Sequence, residues 1–582
     1  MAARVLAGGR VWHIAEPSGA TVSALSSELG VSRLVATVLV NRGLDGAGEA
    51  AAFLDRRPVG STDPFDLPDM DRAVTRLLQA LRGREEICVY GDYDVDGLTA
   101  TALLETVLRR EGGHVRHYLP SRTGEGYGLN EAAIRTLAGA GVNLIVTVDC
   151  GITAPREAAL ARSLGLGFII TDHHEPGRDL PLAEAIVNPR LPESAYPFSA
   201  LAGVGVAYKL AQALLTALNR HETRGRQPGF DDLDDLLDLV ALGTVADVAA
   251  LVGENRSLVH QGLNRFNPPR RPGLEALARV ARLESREITT YHLGFQFGPR
   301  LNAAGRLGDA ERALLLLLTE NKVEAAELAA ELDQGNRDRQ ALEERILEEA
   351  TAQVERTIDL ERERAIVLSA EGWHEGVIGI VATRLVERFA RPTLLVAVNA
   401  GVGRGSGRSI PSFDLVGALD ECAAWLGRYG GHRLAAGFEI DREALEAFAR
   451  RFQEVARERL DGKDLVHELR IDACVEAKDL PASFFRELER LSPFGAGNPE
   501  PVLAMRRVGF SGVRTVGVGG RHLKALVRTE GRVFDSIGFG LGSLAGEVGR
   551  GGSYDIAFRP GLGEWNGVKR EELRLADLRP AS

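Results

Sequence analysis

Between about residues 85 and 190, short apolar runs alternate with segments of helical period. Residues 87–90 (ICVY) precede TALLETVLRR, LIVTV precedes APREAALARSLG, and FIIT precedes a Pro-rich turn. Apolar runs of four or five residues separated by amphipathic helices predict a parallel, doubly wound sheet. Ligands of such sheets gather beyond the carboxyl ends of the strands. The polar residues of interest fall at those ends: Asp92, Asp94 and Asp96 after the first run, Asp149 after the second, and Asp172, His173 and His174 after the third.

From 309 to about 359 the pattern becomes a long connecting helix, nearly free of Gly and Pro, whose acids and bases at i, i+4 steps read as a solvated face. A second, smaller α/β pattern follows from about 360 to 445. After an amphipathic helix (REALEAFARRFQEVARERL), short alternating segments with frequent Gly predict a small antiparallel barrel toward the C-terminus. Near the start, SALSSELGVSRLVATVLVNRGL resembles a helix-turn-helix, although helix pairs with a Gly turn are common packing units. The expected organisation is an N-terminal helical segment (1–55), a doubly wound α/β domain (56–308), the connecting helix (309–359), a second α/β domain (360–445) and a barrel domain resembling an oligonucleotide-binding (OB) fold (446–582).

The length of 582 residues agrees with several cores, since single cores seldom exceed about 250 residues. No apolar stretch approaches the roughly 20 residues that a membrane helix requires, so no membrane partner is expected. The first residues lack an apolar core followed by a cleavage site, which points to the cytoplasm. Cys88, Cys150, Cys422 and Cys474 form no CxxC pair and read as small buried residues rather than a zinc ribbon. A net charge of -11 gives no global case for nucleic acid. Local distribution differs: residues 506–532 carry seven bases against the single acid Glu530. Arg514, Arg521, Lys524 and Arg528 are therefore expected along one barrel face, with Phe510 or His522 available for base stacking.

GDYDVDGLTA sets Asp92, Asp94 and Asp96 at two-residue steps. Three like charges in five residues repel one another, and a cation or protonation offsets the cost. The same spacing also opens calcium loops and ordinary acidic turns. TDHHEP adds an acid and two histidines behind a strand, and DLVALGTVADVAAL presents Asp247 in a small-residue turn. The acids upstream (Asp231, Asp232, Asp234, Asp235, Asp238) read as a polar helix face. Several carboxylates with one or two imidazoles make a hard, oxygen-rich site suited to Mn2+ or Mg2+, with two ions expected.

GDYDVDGLTA, VTVDCG, ITDHHEP and ALGTVADVAALVGENRSLV resemble, in order, the four motifs of the DHH phosphoesterase superfamily. FGPRLNAAGRLGDA and GGHRLAAGF resemble additional signatures of its RecJ branch, the single-strand-specific 5'-to-3' DNA exonucleases. The resemblance runs from about residue 50 to the end. It implies that Asp94, Asp96, Asp149, His173 and Asp247 bind metal, with Asp92 and His174 as candidates for a second ion or for acid/base support. Asp172 is expected to orient a ligand histidine. By the same resemblance Arg300, Asn302 and Arg306 hold a phosphate, structural salt bridges being the rival reading. Residues 403–409 (GRGSGRS) resemble a substrate loop carrying Ser406, Arg408 and Ser409, and His432 belongs to the substrate-binding lobe. Many relatives continue into a further C-terminal domain, and this sequence ends at Ser582 soon after the barrel, so partner binding through such a domain is not assigned.

The implied activity is metal-dependent removal of 5' mononucleotides from the 5' end of single-stranded DNA, in repair and recombination, by a monomer. Single-strand-binding protein and a repair helicase are the other expected partners. Two alternatives stay open at this level: a phosphodiesterase of short oligonucleotides or cyclic dinucleotides, and a repair scaffold that keeps the fold without catalysis.

Overall fold

The computed structural model describes residues 10–58, 62–121, 128–222, 233–307, 309–463, 465–565 and 568–581. The chain divides into two units, residues 1–333 with 470–582, and residues 334–469.

In the first unit five parallel strands lie in the order His114–Tyr118, Glu86–Tyr90, Leu144–Val148, Gly167–Thr171, Ala185–Val187. The central strands Leu144–Val148 and Gly167–Thr171 bury every residue, which is why they read as continuous apolar runs. Both edge strands escape the apolar-run reading. His114–Tyr118 is half exposed and polar, and Ala185–Val187 has only three residues. Helices cover both faces. One core contains Leu77, Leu104, Val107, Val146 and Leu210; the other contains Ile134, Ile145, Ala158 and Phe168. Strand order reverses between Glu86–Tyr90 and Leu144–Val148, so the crevice at that point opens where the DxDxD turn and Asp149 leave the sheet.

The C-terminal strands Leu503–Val516, His522–Thr529, Arg532–Gly538, Val568–Pro580 and Tyr554–Trp565 pair in that order, and the last closes on the first to complete a five-stranded barrel. Closure removes the exposed sheet edges. The N-terminal helices Gly19–Leu29, Arg33–Asn41 and Ala47–Leu54 share one core with the barrel, through Val35, Leu39 and Phe53 against Phe484, Phe485 and Leu503. Polar residues of the pair bond within the chain: Arg33 donates to the Ser23 hydroxyl (2.7 Å), Asn41 to the Asp472 carbonyl (2.9 Å) and Arg42 to the Pro499 carbonyl (2.6 Å). The pair is a packing unit.

A buried cation ties these parts together. Arg256, on the helix Gly253–Phe266, donates to the carbonyls of Phe53 (3.1 Å), Arg490 (2.9 Å) and Leu491 (3.0 Å), and its guanidinium lies 3.8 Å from the centre of the Phe53 ring. Burial, with Arg56 and Arg42 nearby, pushes it down to about 9.

The expected single connecting helix is two: Ala310–Leu318 and Lys322–Thr357. Thr319 takes an extended conformation, and Asn321 restarts the helix by accepting from the Val323 N–H (2.9 Å). In the second unit the strand order is Tyr429–His432, Ala435–Asp441, Val402–Arg408, Thr393–Asn399, Ile366–Glu371. Only the last two are parallel, linked through the helix Glu375–Phe389. The helix Leu445–Leu460, assigned to the barrel domain by the sequence reading, packs Phe448, Phe452 and Val455 into this sheet's core instead. Among the described residues no single helix is long and apolar enough to cross a membrane.

Candidate metal centre

Four segments converge beyond the carboxyl ends of the first sheet. Asp94 caps the helix Val95–Arg110, its Oδ1 accepting from the N–H groups of Asp96 (2.9 Å) and Gly97 (3.1 Å). Gly97 lets the chain fold back on Asp92, because a Cβ there would meet the Asp92 backbone nitrogen at 2.6 Å. Asp96 is buried, and its carboxylate accepts from Gly203 N–H (2.6 Å) and Val204 N–H (2.9 Å), the first residues of the helix Gly203–Glu222. A helix N-terminus stabilises a carboxylate in this way. Asp149 leaves its strand with φ of 62°, a left-handed backbone that is uncommon outside Gly, Asn and Asp. Asp247 sits at the C-terminal end of the helix Leu237–Ala246.

His173 Nε2 lies 3.0 Å from Asp149 Oδ1, 3.9 Å from Asp96 Oδ2 and 4.0 Å from Asp247 Oδ2. Neither His173 Nε2 nor Asp149 Oδ1 makes a hydrogen bond; even their mutual approach lacks the geometry. Buried polar atoms are rarely left so, and here two strong ligand atoms face one small space. Asp172 differs. Its Oδ2 accepts from Ile152 N–H (2.9 Å), while Oδ1 accepts from His173 N–H (2.7 Å) and lies 2.8 Å from His174 Nδ1. It holds His174 through Nδ1 and so fixes the orientation of that ring.

Electrostatics agree. Burial, then repulsion from Asp247 and Asp94, raises Asp96 well above the usual carboxylate range against the two helix N–H donors. Asp149 is raised by burial and by Asp96, Asp94, Asp92 and Asp247, and Asp247 reaches about 7 through burial and Asp94. Burial, helped by the charge of His174, pushes His173 down to about 4, so it is neutral and able to ligate. Burial opposes charge on His174, but the hydrogen bond and charge of Asp172 push it up to about 9.

Three groups present ligand atoms within 4.8 Å of one another: Asp92, Asp94 and Asp149; Asp149, His173 and His174; and Asp96, His173 and Asp247. Asp149 joins the first two groups and His173 the last two. The donor set is hard, oxygen-rich and free of thiolate, and the orphaned atoms point at one another, so the residues fit two adjacent divalent cations.

An acid held above its unfolded pKa binds its proton more tightly when folded. These carboxylates therefore take stability from the metal-free fold as pH rises from about 4 through 7. A cation that displaces those protons reverses the loss. Adding Mn2+ is expected to raise the melting temperature by about 5 °C at pH 7.5 and by much less at pH 5, read by scanning fluorimetry. Equal shifts at both pH values would mean that the ion does not meet these carboxylates.

A cavity of about 270 Å3 adjoins the cluster, lined by Asp92, Tyr93, Asp94, Ala246, Asp247, Asn302 and Arg306. Asn302 and Arg306 lie one turn apart on the helix Gly298–Leu307, and Asn302 Oδ1 accepts from Val95 N–H (3.2 Å). Arg300 does not line the cavity. It lies about 200° around the helix from Asn302, and it pairs with Asp333 (3.0 Å) and donates to the Gln296 carbonyl (2.7 Å), which is the salt-bridge alternative. The acids Asp234, Asp235 and Asp238 pair with Arg265, Arg110 and Arg271 and form a structural face; Asp231 and Asp232 lie outside the described residues.

In the second unit the expected glycine-rich loop is the strand Val402–Arg408. Gly405 is glycine because a Cβ would strike the Phe438 ring at 2.1 Å, and Gly403 and Gly407 face the same core. Alternation leaves Arg404, Ser406 and Arg408 on the opposite face, with Arg408 Nη1 3.3 Å from Ser406 Oγ. Ser409 is used structurally, its hydroxyl donating to the Phe413 carbonyl (2.9 Å). His432 is exposed on the edge strand Tyr429–His432. On the barrel, Arg514, Arg521 and Arg528 are exposed, but Lys524 is held by Asp535 (2.9 Å) and Glu572 (2.8 Å), and Phe510 packs on Tyr554. His522 keeps an edge contact with Phe539, which is 61% exposed.

Sequence reasoning passed over Gly203 and Arg190. Gly203 donates to Asp96, and a Cβ there would meet Asp149 at 2.6 Å; the only signal was the Gly-x-Gly opening of a helical run, GVGVAYK. Arg190, whose charge opposes protonation of both His173 and Asp247, carried no signal beyond its type.

Comparison with known proteins gives the following. The chain matches the DHH family, N-terminal domain, over residues 86–244, the DHHA1 domain over 362–458 and the RecJ OB domain over 471–577. It is 39% identical over 98% of its length to the single-stranded-DNA-specific exonuclease RecJ of Bacillus subtilis, covering 71% of that protein. It is 36% identical over 94% of its length to the enzyme of that name from Escherichia coli, covering 96% of it. The crystal structure of RecJ in complex with Mn2+ from Thermus thermophilus superposes with a TM-score of 0.82 at 33% identity, covering 98% of this chain and 80% of that one. The Mg2+ complex from the same organism gives 0.76 at 32% identity, covering 98% and 79%.

Proposed function

The chain belongs to the RecJ family of single-stranded-DNA-specific exonucleases, and from that premise we propose that it removes 5' mononucleotides from single-stranded DNA, 5' to 3', with Mn2+ or Mg2+. The observation that carries the reading is the convergence of Asp92, Asp94, Asp96, Asp149, His173, His174 and Asp247 at one sheet switch point, with His173 Nε2 and Asp149 Oδ1 making no hydrogen bond. These residues would hold two ions, Asp149 serving both. Bound there, the ions would supply Lewis-acid activation of water and of the scissile phosphate.

The protein's own groups do the rest. Arg306 and Asn302, at the cavity beside Asp92 and Asp247, neutralise and orient the phosphate; arginine's planar fork suits two phosphate oxygens. Asp172 fixes the ring of His174, so that imidazole keeps one orientation through the cycle. Neutral His173 offers its lone pair as it stands, whereas the raised carboxylates and His174 surrender protons on loading. Ser406, Arg408 and His432 are our candidates for further phosphate contacts in the second unit, supported by the shared face of Ser406 and Arg408. Arg514, Arg521 and Arg528 with His522 and Phe539 are candidates for sequence-tolerant contacts on the barrel. A cytoplasmic location, a monomeric state and a working association with single-strand-binding protein and a repair helicase belong to the same proposal.

The test is digestion of a 5'-phosphorylated single strand, labelled at either end in separate reactions, with Mn2+, with Mg2+ and with chelator. Release of mononucleotides from the 5' end alone, abolished by chelator, is expected. Cleavage restricted to di- to tetranucleotides would favour a small-substrate phosphodiesterase, and no cleavage with either metal would leave a scaffold.

A further inference from the structure

We propose that Asn255 is a positioning residue of the metal centre: it ties the turn that carries Asp247 to the loop that delivers Gly203 to Asp96, and so sets the gap between two ligands of one ion. The proposal rests on the two-ion reading above. Asn255 is fully buried on the helix Gly253–Phe266, and its amide nitrogen donates to the carbonyls of Ala200 (2.6 Å) and Ala250 (3.1 Å). Ala200 lies three residues before Gly203, whose N–H holds Asp96 Oδ2 (2.6 Å), and Ala250 lies three residues after Asp247. One amide group therefore grips both flanks of the ligand set Asp96, His173 and Asp247.

The orientation of the amide is dictated, because both partners are carbonyl oxygens and only the NH2 group can face them. That leaves Asn255 Oδ1 buried without a hydrogen bond, an arrangement that costs stability and that an apolar side chain of the same shape would avoid. The two donations are what the asparagine supplies. The turn they hold does not hold itself. After the helix Leu237–Ala246, Val248 N–H reaches the Val245 carbonyl (3.2 Å) and Ala249 N–H the Thr244 carbonyl (3.2 Å), a helix ending that normally places glycine at the left-handed position. Here Val248 occupies it with φ of 60°, unfavourable for a β-branched residue, and it is 71% exposed, so packing does not offset the strain. Strained turns persist where their surroundings fix them. On the other flank, a Cβ on Gly253 would strike the Phe198 ring at 2.7 Å, and Glu254 pairs with Lys209 (2.5 Å) and accepts from the Tyr196 hydroxyl. Those two residues meet side chains of the loop and of its helix, whereas Asn255 reaches the backbone of loop and turn together. Asp92, Asp94 and Asp149 come from other segments, so the loss of Asn255 should act on one ion and spare its neighbour.

The experiment titrates Mn2+ into the full chain by calorimetry and, in parallel, follows kcat on a 5'-phosphorylated single strand against Mn2+ concentration. Wild type, Asn255→Leu, Asn255→Ser, Asp247→Asn and Phe266→Leu are compared. Wild type should bind two ions, and the step lost in Asp247→Asn identifies the ion concerned. In Asn255→Leu, similar in size but without a donor, that step should weaken ten- to a hundredfold while the other stays within about twofold. The Mn2+ concentration for half-maximal kcat should rise by the same factor, with KM for the strand unchanged. The milder Asn255→Ser, whose hydroxyl can serve one carbonyl, should fall between. Phe266→Leu truncates a buried ring on the same helix; it should lower the melting temperature and leave both binding steps in place. Wild-type affinities in both Asn255 variants overturn the proposal. So does an equal weakening in Phe266→Leu, which would assign the effect to general loosening of the helix. A wild type that takes up no second ion overturns the two-ion reading itself.

Discussion

Changing Asp149 to asparagine is expected to reduce nuclease turnover by about 10^4-fold or more, while single-strand binding, measured by anisotropy, changes little. Asparagine is the sharper choice than alanine. Asp149 holds φ of 62°, a region that Asn adopts more readily than Ala, so the backbone survives the change. What is lost is the carboxylate that belongs to two of the three ligand groups and whose Oδ1 faces His173 without a hydrogen bond. Both ions would lose a ligand at once, so the effect should exceed that of Asp92→Asn, which touches one group. The metal-free variant should melt at or above the wild-type temperature at pH 7.5, because a carboxylate held well above its usual range destabilises the fold when charged. Its Mn2+-induced shift should shrink. Turnover within tenfold of wild type would remove Asp149 from the centre, and a lower metal-free melting temperature would attribute the loss to misfolding.

The same residues show what a sequence can and cannot carry. The first sheet was legible because its central strands are buried on both faces and so appear as uninterrupted apolar runs, with acids and histidines directly behind them. Its edge strand His114–Tyr118 was not, because a half-exposed polar strand has no periodic signature. Glycine-rich residues 403–409 read as a loop, yet each glycine in Val402–Arg408 answers to a neighbour across the core, such as the Phe438 ring over Gly405. Side-chain direction was equally hidden. Arg300 and Arg306 look equivalent in PRLNAAGR, and only the rotation per residue separates a salt bridge to Asp333 from a cavity wall. Lys524 belonged to a basic stretch by composition and to Asp535 and Glu572 by register, with Glu572 more than 40 positions away in the chain. Motif residues sit next to one another in sequence, whereas their supports come from other elements.

Gly203 is the support with the largest expected consequence. It opens the helix Gly203–Glu222, donates to Asp96 Oδ2 at 2.6 Å, and has no room for a side chain: a Cβ would lie 2.6 Å from Asp149 Cβ and Oδ1. Real Cβ atoms do not approach so closely, and Asp149 cannot swing aside, being 2% exposed and fixed at a left-handed backbone position. Gly203→Ala must therefore shift the helix start or the carboxylate, and either moves Asp96 and Asp149 relative to each other. A displacement of about 1 Å in a positioned site can cost about a hundredfold. The expected result is a kcat lower by a hundredfold or more and a weaker Mn2+ dependence of melting, with KM for the strand little changed. Gly205→Ala on the same helix is the control, since its Cβ would meet only the Leu201 side chain, at 3.3 Å rather than 2.6 Å, and no carboxylate. Near wild-type kcat in Gly203→Ala would mean that Asp96 and Asp149 need not be held at their present separation. An equal loss in Gly205→Ala would trace the effect to the helix rather than to the carboxylates it positions.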